Sequence, residues 1–268
     1  MTNPLLSFLI PAYNEADRLG DTLSQVLAYL SKQAYASEVL VVDDGSVDGT
    51  LTVAKACFSA HSGQSKVTAR VLSYSPNRGK GYAVRQGMLA AQGAIALFSD
   101  ADLSTPIEEL PKLLNPLVAG EYDVVFGSRS LNRSLIGHRQ PWLREQSGRL
   151  FNLVVRTTTG MPYADTQCGF KAFRLDVCRS IAEGAMLDRF GFDVELLFLA
   201  YQAGLRLHEQ SVRWNDAIGS KVSLLAGLHG FQELWSLRRW SQQGLYDETL
   251  ANARVAAAKP NNLLNTTR

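Results

Sequence analysis

Short apolar runs alternate with segments of helical periodicity along the first half of the chain, and this alternation restricts the possible fold more than any other feature. The runs that predict strands are Leu6–Ile10, Val39–Val42, Arg70–Leu72, Ile95–Phe98 and Val124–Phe126. Strands that are apolar on both faces are typical of a parallel sheet covered by helices on its two sides. We therefore expect an α/β fold, Rossmann-like, with a mostly parallel central sheet flanked by helices.

Helices are predicted between these runs, because apolar residues recur there every three or four positions. They cover residues 19–30, 50–60, 82–92 and 107–117. In the less regular second half we expect helices at 142–158, 192–203 and 222–241, and strands at 169–174 and 205–213. We expect a single domain over 1–246 and, where periodicity is lost, a disordered tail over 247–268.

Composition excludes several classes of protein. The chain has 268 residues, and 27 Lys and Arg against 25 Asp and Glu leave a net charge of +2, so chain-wide binding of nucleic acid is not expected. Three cysteines without a Cys-x-x-Cys pair predict neither a disulfide framework nor a zinc site, and they favour a cytoplasmic protein. Neither a signal peptide nor a run of about 18 apolar residues is present, so we expect no membrane span.

Four polar clusters follow the carboxyl ends of predicted strands. They are Pro11–Glu15, Asp43–Ser46, Asn77–Gly81 and Asp100–Asp102. Ligands of open α/β sheets bind at this edge, so the clusters predict a functional site there.

Each cluster taken alone has two interpretations. Asp100 and Asp102 could bind one Mg²⁺ or Mn²⁺ together with substrate phosphates, or one of them could cap the following helix. Asp43 and Asp44 could accept hydrogen bonds from a base or sugar, or could form an Asx turn. Tyr13 could stack on a base or pack within the fold.

The Asn77–Gly81 cluster offers two cations at a predicted helix start, where anions bind readily. It lacks the P-loop pattern, and Val84 stands where a dinucleotide fingerprint would have its third glycine. Both P-loop nucleotide hydrolases and dinucleotide-dependent oxidoreductases are therefore disfavoured.

In this order and spacing, the four clusters resemble family 2 glycosyltransferases of GT-A fold. Further matching segments are Gly127–Arg129, Asp165–Lys171, Phe192–Glu195 and Gly219–Lys221. The whole set, over about residues 5–245, is similar to the dolichyl- or polyprenyl-phosphate glycosyltransferases. The Asp165–Lys171 segment is closer to the β-glucosyl branch, and Ser104 stands where mannosyl relatives carry a metal-binding glutamine.

This resemblance implies a set of donor-binding residues. They are Pro11, Ala12, Tyr13 and Glu15 at the nucleotide, Asp43 and Asp44 at the base, Lys80 near the sugar, and Asp100, Ala101 and Asp102 at the diphosphate. Asp100 and Asp102 would hold Mg²⁺ or Mn²⁺, with Asp102 as the expected direct ligand.

It also implies an acceptor site for a polyprenyl or dolichyl phosphate. The residues are Arg129, Arg144 with Arg139 as its alternative, Ser147 and Lys221, with Gln167 at the sugar or acceptor end. Asp102, Arg129 and Gln167 are the expected catalytic residues. The expected reaction is displacement with inversion at the anomeric carbon of UDP-glucose, for which an ionised phosphate acceptor needs no strong general base.

An amphipathic helix over 222–241 would bring the protein to the lipid. It carries leucines and tryptophans beside Lys221, Arg238 and Arg239, which suits a membrane interface but also a helix packed on the core. We expect a peripheral protein on the cytoplasmic membrane face; the sequence leaves the oligomeric state open.

Four alternatives remain open. The donor could be GDP-mannose, or the acceptor could be a hydroxyl group activated by Asp165 or Glu195 as a base. Outside this reaction class, the chain could be a nucleotidyltransferase or a non-catalytic binder of nucleotide sugars.

Overall fold

The computed structural model describes residues 4–61, 66–137, 142–216 and 224–259, without the side chains of 142–145 and 224–229. The strands are β1 (Leu6–Ala12), β2 (Ser37–Asp44), β3 (Val67–Tyr74), β4 (Ile95–Ser99), β5 (Val124–Ser128), β6 (Phe170–Arg174) and β7 (Leu207–Ser211). The helices are α1 (Ala16–Leu30), α2 (Thr50–His61), α3 (Lys80–Ala90), α4 (Leu110–Val118), α5 (Trp142–Thr159), α6 (Leu175–Gly184), α7 (Phe192–Gln202), α8 (Leu224–Gln242) and α9 (Asp247–Ala257).

The seven strands form one sheet in the order β3-β2-β1-β4-β6-β5-β7. Strand β6 runs antiparallel to its neighbours β4 and β5, and the other pairings of this sheet are parallel. Every residue of β1, β2, β4, β5 and β6 is buried, which is the pattern that the apolar runs predict. The expected α/β fold with a mostly parallel sheet is confirmed.

Hydrophobic clusters cover both faces of this sheet. Successive residues of a strand point to opposite faces, and in β1 Leu9 belongs to one cluster while Phe8 and Ile10 belong to the other. The first cluster includes buried residues of α3, α6 and α7, and the second includes those of α1 and α4. The helices therefore pack in two layers, which leaves the strand ends free to carry polar loops.

The expectation of a disordered tail from residue 247 is wrong for the stretch that forms α9. Asp247 and Glu248 lie in its first turn, where acidic side chains interact favourably with the helix dipole. The helix packs on α6, so closely that a Cβ on Gly184 would lie 1.8 Å from Thr249 Oγ1. Arg254 donates to the carbonyl of Gln202 at the end of α7. Residues 260–268 lie outside the described part of the chain.

Helix α6 was not expected either. It follows β6 without a break, and its buried residues Leu175, Val177, Cys178, Ile181 and Ala182 face the core. None of the helices in the described ranges is long and apolar enough to cross a bilayer.

Candidate active site

The loops that follow β1 and β2 are bonded to each other at the carboxyl edge of the sheet. The amide of Asn14 donates to Ser46 Oγ at 2.9 Å, and the Asn14 side chain accepts from the amide of Val47 at 2.9 Å. Asn14 has a φ of 54°, a left-handed conformation that asparagine tolerates better than most residues. These bonds place the first two polar clusters side by side, as the sequence predicts.

The side chains of Tyr13 and Glu15, both in the segment that follows β1, lie in different environments. Pro11 and Ala12 are buried at the end of β1, whereas Tyr13 is 42 % exposed. Glu15 occupies the N-cap position of α1 and pairs with Arg18 at 2.9 Å, so it places a negative charge at the start of this helix. An exposed Tyr13 ring beside the strand ends remains available for stacking.

Asp43 and Asp44 hold the surrounding loops together. Asp43 accepts from the amide of Ser46, which is the Asx turn considered above, and from Ser73 Oγ. Asp44 accepts from the side chain of Asn77 at 2.6 Å and from the amides of Arg78 and Gly79 at 2.8 Å each. Their contact with a base stays a prediction, while their role in shaping the third cluster is visible in the structure.

The third and fourth clusters meet through an ion pair. Lys80, the first residue of α3, lies 2.5 Å from Asp100 Oδ1 at the end of β4. Gly79, just before it, has a φ of +115°, and a Cβ there would lie 2.4 Å from the carbonyl oxygen of Asp188. A residue with a side chain at this position would therefore clash with the backbone at Asp188 and strain the turn that leads into Lys80.

Asp102 and Ala101 complete the turn after β4. Asp102 Oδ1 accepts from the amide of Ser104 at 2.9 Å, and Oδ2 lies 4.0 Å from Arg18. The carbonyl of Ala101 accepts from Thr22 Oγ1 at 2.6 Å. Neither aspartate caps the 3₁₀ turn at Ile107–Glu109, whose N-cap residue is Pro106, so the capping alternative is not what the structure shows.

The chemistry of this turn fits a divalent cation that relies on its substrate for ligands. In the described parts of the chain, no group of three or more His, Cys, Asp or Glu side chains is arranged to hold a metal. Two carboxylates are nevertheless sufficient for Mg²⁺ or Mn²⁺, which keep several waters and take other ligands from phosphate oxygens. The side chains of Asp100 and Asp102 are both partly exposed, so such a complex could reach them.

Arg129 and Asp165 form a two-pronged ion pair at the end of β5. Arg129 Nε and Nη2 lie 2.7 and 2.8 Å from the two oxygens of Asp165, which also accepts from the amide of Gln167 at 3.1 Å. Burial alone would raise the pKa of Asp165, but the Arg129 guanidinium lowers it below its ordinary value. Asp165 thus brings Arg129 and Gln167 together, a different role from that of the general base considered for it from the sequence.

Two residues that the sequence analysis missed hold the segment around Asp165. Glu209 on β7 accepts from the amides of Ala164 and Asp165 at 2.9 and 2.8 Å. Asn152 on α5 donates to the carbonyl of Ala164 at 2.7 Å. A glutamate inside a strand is the one signal that could have identified such a residue in the sequence.

Glu195, the other carboxylate considered as a base, is a structural group. It accepts from the amides of Met186 and Leu187 at 2.8 Å each and from the hydroxyl of Tyr246 at 2.6 Å. Burial raises the pKa of Glu195, and these hydrogen bonds offset only part of that rise. Its oxygens are thus engaged with the protein itself.

The remaining predicted acceptor residues lie on α5 or outside the described part of the chain. Ser147 lies exposed on α5. Arg144 lies on the same helix, but its side chain is outside the described part of the chain, and Arg139 and Lys221 lie outside it altogether.

The chain is similar to known proteins in sequence and in fold. The sequence profile of the family "Glycosyl transferase family 2" matches residues 7–181. The chain is 39 % identical over 229 residues to a dolichyl-phosphate beta-glucosyltransferase of Drosophila melanogaster, a match that covers 81 % of this chain and 69 % of that protein. The Homo sapiens protein of the same name is 36 % identical, with the same coverage.

The fold also matches solved structures. Glucosyl-3-phosphoglycerate synthase from Mycobacterium tuberculosis, in complex with Mn²⁺, UDP-glucose and phosphoglyceric acid, superposes with a TM-score of 0.61 at 19 % identity. That match covers 96 % of this chain and 81 % of the other. With its profile match over most of the sheet and its relatives above 30 % identity, the chain belongs to glycosyl transferase family 2.

Proposed function

We propose that the protein transfers glucose, with inversion, from UDP-glucose to a polyprenyl or dolichyl phosphate. The observation that carries this proposal is the contact between the donor and acceptor groups. Gly169, four residues after Asp165, accepts through its carbonyl from the amide of Asp100 at 3.2 Å. A Cβ on Gly169 would lie 2.2 Å from Asp100 Oδ2, so the two halves of the site are packed directly against each other.

On the donor side, Asp100 and Asp102 would hold Mg²⁺ or Mn²⁺. Such an ion, when bound, stabilises the charge that develops on the diphosphate leaving group. Lys80 supplies a cation at the same place, and Tyr13 offers a ring to the base. The solved structure with Mn²⁺ and UDP-glucose supports a donor of this kind.

On the acceptor side, Arg129 is suited to bind a phosphate. A guanidinium has five N–H donors, so its two side-chain bonds to Asp165 do not exhaust its capacity for an anion. Asp165 keeps the guanidinium in one orientation, which lowers the entropic cost of binding the lipid phosphate.

The occupied carboxylates favour a phosphate acceptor over a hydroxyl acceptor. A hydroxyl must lose a proton to a base, whereas a phosphate is already ionised at neutral pH. Asp165 is paired with Arg129 and has a lowered pKa, and Glu195 is bonded to backbone amides and Tyr246. Neither is placed to serve as the base that the hydroxyl alternative requires.

A donor panel tests the proposal. The purified protein would be incubated with Mn²⁺, polyprenyl phosphate and either radiolabelled UDP-glucose or GDP-mannose, and the organic phase would be counted. We expect lipid-extractable label from UDP-glucose only. Label from GDP-mannose alone would contradict the donor, and label that appears only on a water-soluble hydroxyl acceptor would contradict the lipid. Release of pyrophosphate from a nucleoside triphosphate would indicate a nucleotidyltransferase. Tight binding of the donor without turnover would indicate a non-catalytic binder of nucleotide sugars.

We also propose that helices α5 and α8 place the site against the cytoplasmic face of a membrane. The two helices touch through Phe151 and Phe231, whose ring centroids are 5.3 Å apart. Trp235, one turn beyond Phe231, is 67 % exposed and has the guanidinium of Arg239 6.0 Å from its ring. Tryptophan beside arginine suits the interface of an anionic bilayer. The three free cysteines fit a reducing compartment.

Co-sedimentation with vesicles that contain anionic lipid tests this placement. We expect Trp235→Ser to bind vesicles several-fold more weakly than the unmodified protein, since it loses an interfacial anchor. Val255→Ser on α9, where the side chain is 64 % exposed, is the matched control and should bind normally. Trp240 is left intact because it packs against the core. Equal binding of both variants would contradict a role for α8.

A further inference from the structure

A lysine is buried in the middle of the sheet beside the donor site. Lys171 on β6 stands between Phe170 and Ala172, and its side chain is 0 % exposed. Its ammonium donates to the carbonyl of Cys168 at 2.6 Å and lies 2.5 Å from Asp193 Oδ1. Burying a charged pair is energetically costly, since both ions lose their hydration water. This buried pair lies where the site meets the hydrophobic core.

The buried pair is close to the Lys80–Asp100 pair. Lys171 Nζ lies 5.3 Å from the centre of the Phe98 ring, and Lys80 Nζ lies 5.9 Å from the centre of the Phe192 ring. These two rings are themselves 5.8 Å apart. The two lysines therefore sit on the two rings of one aromatic pair.

Asp193 joins the two lysines electrostatically. It follows Phe192 at the start of α7, and its carboxylate interacts with Lys171, Lys80 and Asp100. The charges thus form an alternating row of Lys171, Asp193, Lys80 and Asp100.

Lys171 also reaches the acceptor side of the site. Its bond to the carbonyl of Cys168 fixes the segment between Asp165 and Gly169, and Gly169 packs on Asp100. The buried ammonium of Lys171 therefore belongs to the charge row of the donor site and also binds the segment that orients Arg129.

We propose that Lys171 and Asp193 are positioning residues that balance the charge of the donor site and thereby set its relative affinity for a divalent cation and for a nucleoside diphosphate. This inference rests on the proposed function, because it takes Lys80, Asp100 and Asp102 as the donor-binding groups. Neither residue needs to touch the substrate, since both act through Lys80 and Asp100.

Removing the charge of Asp193 and removing the charge of Lys171 should change the affinities for an anion and for a cation in opposite directions. Removing the charge of Asp193 leaves Lys171 uncompensated, which makes the site more positive, so an anion binds more tightly and a cation more weakly. Removing the charge of Lys171 makes the site more negative and reverses both effects. A pair whose only role is to stabilise the fold would, on removal, weaken the binding of both ligands together.

Two separate titrations of the protein measure these changes in affinity. UDP is titrated calorimetrically in the presence of a chelator, and Mn²⁺ alone is titrated by electron paramagnetic resonance. For Asp193→Asn, an isosteric change, we expect about threefold or greater tightening of UDP and a comparable weakening of Mn²⁺. For Lys171→Met we expect the reverse, and for Lys171→Met combined with Asp193→Leu both affinities should return toward those of the unmodified protein.

Asp123→Asn is the control, because Asp123 forms another buried ion pair, with Arg174, at 2.9 Å. It should lower the melting temperature and leave both affinities unchanged. Unchanged affinities in the Asp193 and Lys171 variants, or losses of both affinities in parallel, would overturn the inference while leaving the proposed function intact. If the unmodified protein bound neither UDP nor Mn²⁺, the proposed donor site and this inference would both be overturned.

Discussion

Single carboxylate residues in this site have more than one role. Asp44 was expected at the nucleotide base, yet its oxygens accept three hydrogen bonds from the Asn77–Gly79 loop. Asp165 was considered as a base, yet it orients Arg129 and Gln167. A carboxylate motif in the sequence predicts that acceptor oxygens lie at that position of the fold. It does not identify the hydrogen-bond donors that these oxygens bind.

Asp102 offers the sharpest prediction at this scale. Asp102→Asn should reduce Mn²⁺-dependent glucosyl transfer by about 100-fold or more, because an amide is a poor ligand for a hard cation. The fold should be retained, since an asparagine oxygen can still accept from the amide of Ser104. Initial rates and the melting temperature measure the two effects.

The control for this prediction is Asp21→Asn, which removes the same charge from an exposed position on α1. It should leave the rate unchanged. Activity of the Asp102 variant close to that of the control would move the metal site to other residues.

At the scale of elements, α9 shows where sequence periodicity is a weak guide. The helix has a single buried residue, Ala253, so it has no apolar stripe to recognise. It is held instead by a close approach to α6 at Gly184 and by Tyr246, whose hydroxyl reaches Glu195 from the turn before it. The residues in these two contacts are 65 positions apart (Gly184 and Thr249) and 51 positions apart (Glu195 and Tyr246), so a local sequence pattern does not reveal them.

A methyl group at Gly184 should loosen the packing of α9 on α6. Gly184→Ala should lower the melting temperature by several degrees, because the new Cβ would lie 1.8 Å from Thr249 Oγ1 and push α9 away. Calorimetry or circular dichroism would record the change.

The matched control is Gly148→Ala on α5, where a Cβ would meet nothing within 4 Å. Alanine favours a helix over glycine, so this variant should be equally or slightly more stable. A Gly184 variant as stable as the control would contradict the close packing of α9.

At the scale of the whole molecule, ion pairs with the buried carboxylate of Asp123 hold three neighbouring strands of the sheet together. Asp123, just before β5, accepts from Arg174 at the end of β6 at 2.9 Å and from Arg206, just before β7, at 2.8 to 3.0 Å. Burial alone would raise the pKa of Asp123, but the bonds and charges of these arginines lower it below the ordinary value of 3.8. The ionised carboxylate thus stabilises the packing of three strands.

The sign of this shift predicts how stability responds to acid. A carboxyl group with a lowered pKa contributes stability above its ordinary pKa and loses it as the pH falls through the lower, folded-state value. The melting temperature should therefore decrease when the pH is lowered beyond about 4. At neutral pH the free energy of unfolding should differ by on the order of 1–3 kcal/mol between the unmodified protein and Asp123→Asn, and this difference should become smaller in acid.

Thermal melts from neutral to acidic pH test this dependence. Asp21→Asn again serves as the control, because its exposed carboxylate should add little pH dependence of its own. A gap between the Asp123 variant and the unmodified protein that stays constant with pH would mean that ionisation of Asp123 contributes nothing to stability.

The sequence by itself determined the α/β class, most of the strands and helices, and the edge of the sheet that carries the polar clusters. It could do so because burial on both faces of a strand and amphipathicity of a helix are local patterns. The order of the motifs also sufficed for the family.

Only the tertiary structure decided which charges meet. The antiparallel β6 inserts Lys171 next to β4 and brings Gly169 against Asp100, although about 70 residues separate them in the chain. Electrostatic interactions act through space and strengthen when water is excluded, so the partner of a buried charge depends on strand order and packing. Local sequence therefore located the site, and folding assigned its lysines, arginines and carboxylates to one another.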